Sequence, residues 1–272
     1  MTTTLLRHEF RRTRGPLGLL TAIAAAFTLA GTLVMLPNWP LAPLGAPLAS
    51  IAVFGLLPVA LLALAVDYWR SAYGRGGYLT QTLPIRGSRI YGVRLVYGFL
   101  VVLAGLVVSL LLAAPPALVV ARRQAPEGVG ALEYLRTAAS EVTGLLSPAG
   151  WVLLVLALTF GTWMYLVQYY FAATAGSSGR LASLGAAGPF VVWFALYVVF
   201  QVLVFVAVVA VPLGIDVRAG DPQFVSVDYW AAMTSGAQNA PMPAGFIPVL
   251  LVLTLVLAWW TGRAWNRRLS LR

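Results

Sequence analysis

Residues 48–69 read LASIAVFGLLPVALLALAVDYW, an apolar run with one charge, Asp67, near its end. About 20 such residues wound into an α-helix cross a hydrocarbon core of roughly 30 Å. Working outward, runs of the same kind occupy residues 16–36, 95–120, 150–173, 185–212 and 246–261. The chain has 272 residues, 60% hydrophobic and 10% charged, against roughly 25% charged in soluble domains. The expected fold class is therefore all-α: a polytopic membrane protein with six transmembrane helices, forming one domain over residues 1–272.

Proline punctuates the runs. Pro37, Pro40, Pro43 and Pro47 close the first span, and Pro115 and Pro116 are expected to bend or end the third near the far surface. Arg7, Arg11, Arg12 and Arg14 precede the first run as in a secretory signal, but the run is too long for one and offers no convincing small-x-small cleavage site. An uncleaved span is the expectation.

Orientation follows from charge. With both termini inside, the inner segments hold fourteen of the eighteen arginines, opposed only by Glu9 and Asp67. Outside, Arg122, Arg123, Arg136 and Arg218 are outnumbered by Glu127, Glu133, Glu141, Asp216, Asp221 and Asp228. The positive-inside bias places both termini in the cytoplasm, with 70–94 a cytoplasmic loop and 121–149 and 213–245 extracytoplasmic. The net charge of +10 is thus a topology signal rather than a nucleic-acid signal. Every basic residue is arginine, which hints at a high-GC bacterial genome.

Several chemistries are excluded. There is no cysteine, and the one histidine, His8, lies in a polar segment, so thiolate and His-cluster metal sites have no ligands. No span carries a central Asp, Glu or Arg for a proton relay, and no GxxxxGK[ST] loop exists to hold nucleotide phosphates. No catalytic residue and no metal ligand is assigned.

The N-terminal TLLRHEFRRTRG reads as an interfacial amphipathic helix over residues 1–15. Leu5, Leu6 and Phe10 lie to one side, Arg7, Arg11 and Arg14 to another, with Glu9 among them. A turn at Gly15-Pro16 is expected to join it to the first span. Within that span Gly18, Ala22, Ala26 and Ala30 recur every fourth residue, a ridge of small side chains suited to close helix packing. Gln201 near the middle of the fifth span and Gln168 in the fourth are the candidate substrate-path residues. Tyr165, Tyr169 and Tyr170, around Gln168, read as an interfacial belt. Asp67, beside Tyr68, Trp69 and Arg70, reads as an ion-paired flank. Outside, Leu132, Leu135 and Ala139 suggest a short surface helix, and 213–245 reads as a solvated polar loop.

The inner loop between the second and third spans contains GYLTQTLPIRGSR at residues 77–89. At about 25 residues it is longer than a plain helix hairpin requires. Gly74, Gly76 and Gly77 permit a chain reversal, and residues 78–83 suit a short helix that Pro84 terminates. Tyr73, Tyr78, Leu79 and Leu83 would be displayed toward the cytosol, a surface suited to a groove on a soluble partner.

The segment YGRGGYLTQTLPIRGSRIYGVRL, with the basic N-terminus and the six-span plan, resembles the type-2 ABC transporter permease family. There, a Thr-Leu-Pro followed by basic residues marks the first cytoplasmic loop, where a coupling helix meets the ATP-binding subunit. The resemblance implies that Tyr78, Leu79, Thr80, Gln81, Thr82 and Leu83 form the coupling segment, with Tyr73 before it and Arg86 and Arg89 flanking its return. It implies a plasma-membrane exporter subunit that is not itself an enzyme and binds no cofactor. ATP and Mg would reside on two copies of an ABC ATP-binding subunit, and a second permease chain, identical or paralogous, would face this one. Its surroundings would be the lipid bilayer, with no nucleic acid. The segment around Arg180 would be a lesser contact. The sparse polarity of the spans suits a hydrophobic or amphiphilic substrate. Two other readings stand beside this one: a membrane anchor or sensory subunit that recruits a soluble regulator through the same loop, and a membrane enzyme acting on lipid.

Overall fold

The structure, a computed structural model, describes residues 2–37, 39–74, 85–216, 222–236 and 240–267. Among these the chain is nearly all helical, and six of the helices are long and apolar enough to span a membrane. They fold as two compact units, residues 1–67 with 93–143, and residues 68–92 with 144–272.

The first unit begins with α1, Thr2–Met35. Its 34 residues would reach about 51 Å at 1.5 Å per residue. The helix runs straight through Gly15-Pro16, which corrects the expected turn. Pro16 offers no N–H to the Arg12 carbonyl, but Gly15 has no Cβ to collide with the proline ring, so helical backbone is tolerated there. The packed face of α1 is Ala24, Thr28, Gly31, Thr32 and Met35. Gly18, Ala22, Ala26 and Ala30 are all exposed among the described residues. Close approach occurs instead at Gly31, where a Cβ would lie 2.6 Å from the Gly45 carbonyl and 2.8 Å from the Ala49 nitrogen.

After a single 3-10 turn at Ala42–Leu44, α2 spans Gly45–Tyr73 and α3 spans Gly87–Gln124. Of the bend or end expected at Pro115 and Pro116, the end is corrected: both lie inside α3. Gly105 of α3 admits the Leu57 side chain of α2, and Ser109 donates to the Val53 carbonyl at 3.3 Å. Arg123 donates to the Pro37 carbonyl at 2.9 Å, satisfying an acceptor just past the end of α1. Then comes α4, Ala131–Gly144, the surface helix the sequence suggests.

The second unit holds the last residues of α2, the first of α3, and the rest of the chain. Helix α5, Pro148–Gly176, starts with Ser147 accepting from the Gly150 N–H at 3.2 Å and Pro148 in its first turn. A 3-10 stretch, Gly179–Leu184, leads to α6, Ala187–Ala210. Gly176 and Gly188 meet backbone to backbone, leaving no room for a Cβ on either. The segment read as a solvated loop contains a small antiparallel sheet of β1, Gly214–Asp216, β2, Gln223–Val225, and β3, Met242–Pro243, in the order β2-β1-β3. Ile215 pairs with Phe224 on one side and Met242 on the other; Pro243, which has no N–H, falls on an edge strand. A one-and-a-half-turn helix α7, Tyr229–Thr234, is capped by Asp228, which accepts from the Ala231 N–H at 3.0 Å. The buried Tyr229 donates to the Pro241 carbonyl at 3.1 Å. Helix α8, Phe246–Arg267, completes the chain.

Candidate functional site

The coupling segment expected at Tyr78, Leu79, Thr80, Gln81, Thr82 and Leu83 lies outside the described residues. Both of its roots are described. They belong to the second unit, where the C-terminal ends of α2, α5 and α8 and the N-terminal end of α3 meet around Tyr68.

Tyr68 is 1% exposed and its ring stacks on Tyr170 of α5 at 4.1 Å between centroids. Its hydroxyl receives the indole N–H of Trp265 at 2.6 Å and lies 2.8 Å from the Thr174 hydroxyl. One phenolic oxygen thus ties α2 to both α5 and α8. One residue along, Trp69 donates its indole N–H to Ser177 at 3.0 Å. Aromatic pairs of this geometry add about 0.5–1.5 kcal/mol each beyond the area they bury.

The two loop roots join the same cluster. Tyr73, one residue before Gly74, sets its ring edge-on to Tyr68 at 6.3 Å and to Trp265 at 6.4 Å. Its hydroxyl is buried, which corrects the expectation that Tyr73 is displayed for a partner. On the return strand, Gly87 abuts the Trp265 backbone, where a Cβ would lie 2.5 Å from the carbonyl oxygen. The next N–H, of Ser88, is donated to the Asn266 side-chain carbonyl at 2.9 Å. Arg86 and Arg89 are exposed, as flanking residues of a loop return should be. The segment between residues 74 and 86 therefore leaves from, and returns to, one aromatic cluster.

Tyr170 belongs to this core at 3% exposure, correcting its assignment to an interfacial belt, whereas Tyr165 is exposed and Tyr169 leans on Trp193 at 6.2 Å. Gln168 is buried and Gln201 is exposed, so the two do not line a common surface of the chain. Arg180 is exposed on its 3-10 stretch.

In the first unit the corresponding ends of α1, α2 and α3 are joined by charge. Arg12 reaches Asp67 through its Nε at 3.1 Å and its Nη2 at 2.6 Å, and also pairs with Glu9. Glu9 in turn accepts from the Nε of Arg94 at 3.2 Å. Arg94 is 2% exposed and Glu9 7%. Two guanidiniums and two carboxylates sum to zero, which is the condition for burying so many charges near hydrocarbon. Thr13, one residue beyond Arg12, shares a hydrogen bond with the Tyr97 hydroxyl.

Glu9 thus leaves the interfacial set assigned to it: it is a bridge between helices, while Arg7, Phe10, Arg11 and Arg14 remain exposed. Asp67 is ion-paired as expected, but with Arg12 of α1 rather than its neighbour Arg70. A signal for this network was present in the sequence, because Glu9 and Asp67 are the only carboxylates in the basic segments. Sequence reasoning missed Arg12, Arg94 and Trp265 for want of the three-dimensional pairing. Among the described residues, no three of His, Cys, Asp and Glu come together to hold a metal ion. Comparison with protein-family models, with curated proteins and with solved structures found no match.

Proposed function

We propose that this chain is the transmembrane permease subunit of an ATP-driven exporter of the type-2 ABC kind, moving a hydrophobic or amphiphilic substrate by alternating access. The observation that carries the reading is the rooting of the 74–86 segment. A loop that only connected two spans needs no such fastening, whereas one that receives force from a partner must pass it to the helices. Here Tyr73 bears on Tyr68 and Trp265 while Gly87 and Ser88 bear on Trp265 and Asn266, so displacement of the loop is delivered to the ends of α2, α3, α5 and α8.

The driving step requires a partner whose affinity differs between two permease conformations. ATP and Mg act on that partner, a pair of ATP-binding subunits, and the 78–83 segment is its docking surface. A second permease chain, identical or paralogous, faces this one across the path. That arrangement suits Gln201, whose exposed carboxamide in the middle of α6 is costly against lipid and less so against a polar path or a second chain. Arginine asymmetry sets both termini in the cytoplasm of a bacterial inner membrane.

The test is Leu79→Asp and Leu83→Asp in the full chain. Both variants are expected to insert normally and to lose the co-purifying ATPase. Retained association and transport in both rejects the proposal, and a co-purified partner without nucleotide hydrolysis shifts the assignment to a membrane anchor for a soluble regulator.

A further inference from the structure

Helix α4 follows α3 after six residues, and only three separate it from α5. Its two ends are therefore tethered within a few residues of two apolar helices long enough to cross a membrane. Its surface divides into three sectors. Ala131, Tyr134, Leu135 and Ala138 are half-covered by the chain. Glu133, Arg136, Thr137, Ser140, Glu141 and Thr143 form the opposite, exposed side. Leu132 and Ala139 border the half-covered face and Val142 continues it one turn beyond Ala138, and together they leave an apolar edge open, Leu132 at 58% and Val142 at 49%.

We propose that α4 is an in-plane lipid-binding helix, seated in the headgroup layer with the edge of Leu132, Ala139 and Val142 in the acyl boundary of the bilayer. Three observations favour lipid over a protein occupant. The open edge is continuous in sequence with residues that face outward on the neighbouring elements: Leu118 on α3 before it, Leu145 at the next turn, and Val152 and Leu153 on α5 after it are all exposed. The hydroxyls of the polar side have acceptors in their own helix, Thr137, Ser140 and Thr143 donating to the carbonyls of Glu133, Thr137 and Ser140. Finally, an amphipathic segment with its charges on one side and aliphatic residues on the other is the pattern that lies in an interface rather than crossing it. This inference rests on the six spans alone and not on the transport reading.

The chain has no cysteine, so single substitutions report cleanly. Leu132→Cys, Ala139→Cys, Val142→Cys, Arg136→Cys and Ser140→Cys, each in the full chain, are spin-labelled and reconstituted in vesicles of phosphatidylethanolamine and phosphatidylglycerol. Collisions with oxygen, which partitions into lipid, are compared with those of a water-soluble nickel chelate. The expected result is an oxygen-to-nickel ratio several-fold higher at positions 132, 139 and 142 than at 136 and 140. Equal nickel access at all five places the helix in water and overturns the proposal. Shielding of 132, 139 and 142 from both reagents overturns it in favour of a protein occupant. Because all five positions are exposed, the label is tolerated, and agreement among the three apolar sites guards against distortion at any one.

Discussion

Two junctions hold helix ends together in this molecule, and they are built from opposite chemistry. In the first unit Glu9, Arg12, Asp67 and Arg94 bind α1, α2 and α3 by charge; in the second Tyr68, Tyr73, Tyr170 and Trp265 bind α2, α5 and α8 by ring packing and neutral hydrogen bonds. A buried charge network is intolerant, since removing one member strands another in a poor solvent. An aromatic cluster degrades gradually, because each ring keeps most of its contacts when one hydrogen bond is lost. The junction that carries both roots of the loop is the aromatic one.

That contrast is broken most severely by Glu9→Ala, which takes the carboxylate from Arg94 and one of two from Arg12. The expected loss is about 3–5 kcal/mol, read as a lower midpoint of thermal unfolding in detergent. Next is Gly87→Ala, whose new methyl meets the Trp265 backbone and cannot be accommodated by a rotamer change. About 1–3 kcal/mol is expected, and the proposed transport reading adds weakened stimulation of the proposed ATP-binding partner, measured in proteoliposomes. Tyr68→Phe keeps the stack on Tyr170 but leaves the Trp265 N–H and the Thr174 hydroxyl without their shared oxygen, for about 1–2 kcal/mol. A loss as large as that of Glu9→Ala would show that the two junctions do not differ in kind. The smallest effect is expected from Ala22→Leu on the exposed side of α1, within about 0.5 kcal/mol. A larger effect, accompanied by a change in oligomeric state on size-exclusion chromatography, would show that a second chain covers the ridge.

The legibility of these features in the sequence was uneven for physical reasons. Span existence was readable because hydrocarbon thickness imposes a length on any apolar run, and all six runs fall within helices. Span ends were not, because proline next to a glycine, as at Pro16, or deep in a lipid-facing helix, as at Pro115 and Pro116, is tolerated where the sequence rule expects a break. The three strands between residues 214 and 243 were invisible, since two or three residues show no alternation. The ridge of Gly18, Ala22, Ala26 and Ala30 named no partner, and all four residues are exposed: small residues permit close packing but do not attract it, and a close approach forms instead where Gly31 meets Gly45.

By itself the amino-acid sequence determined that this chain carries six segments long and apolar enough to cross a membrane and where its positive charge gathers, because apolar length and the placement of arginine are properties of each segment alone. Only the tertiary structure decided which polar groups meet: that Glu9 bridges Arg12 and Arg94, and that Tyr73 and Gly87 root the loop on Trp265. Those pairings join residues up to 197 positions apart, and a hydrogen bond needs its partner within about 3 Å, a condition that no local pattern encodes.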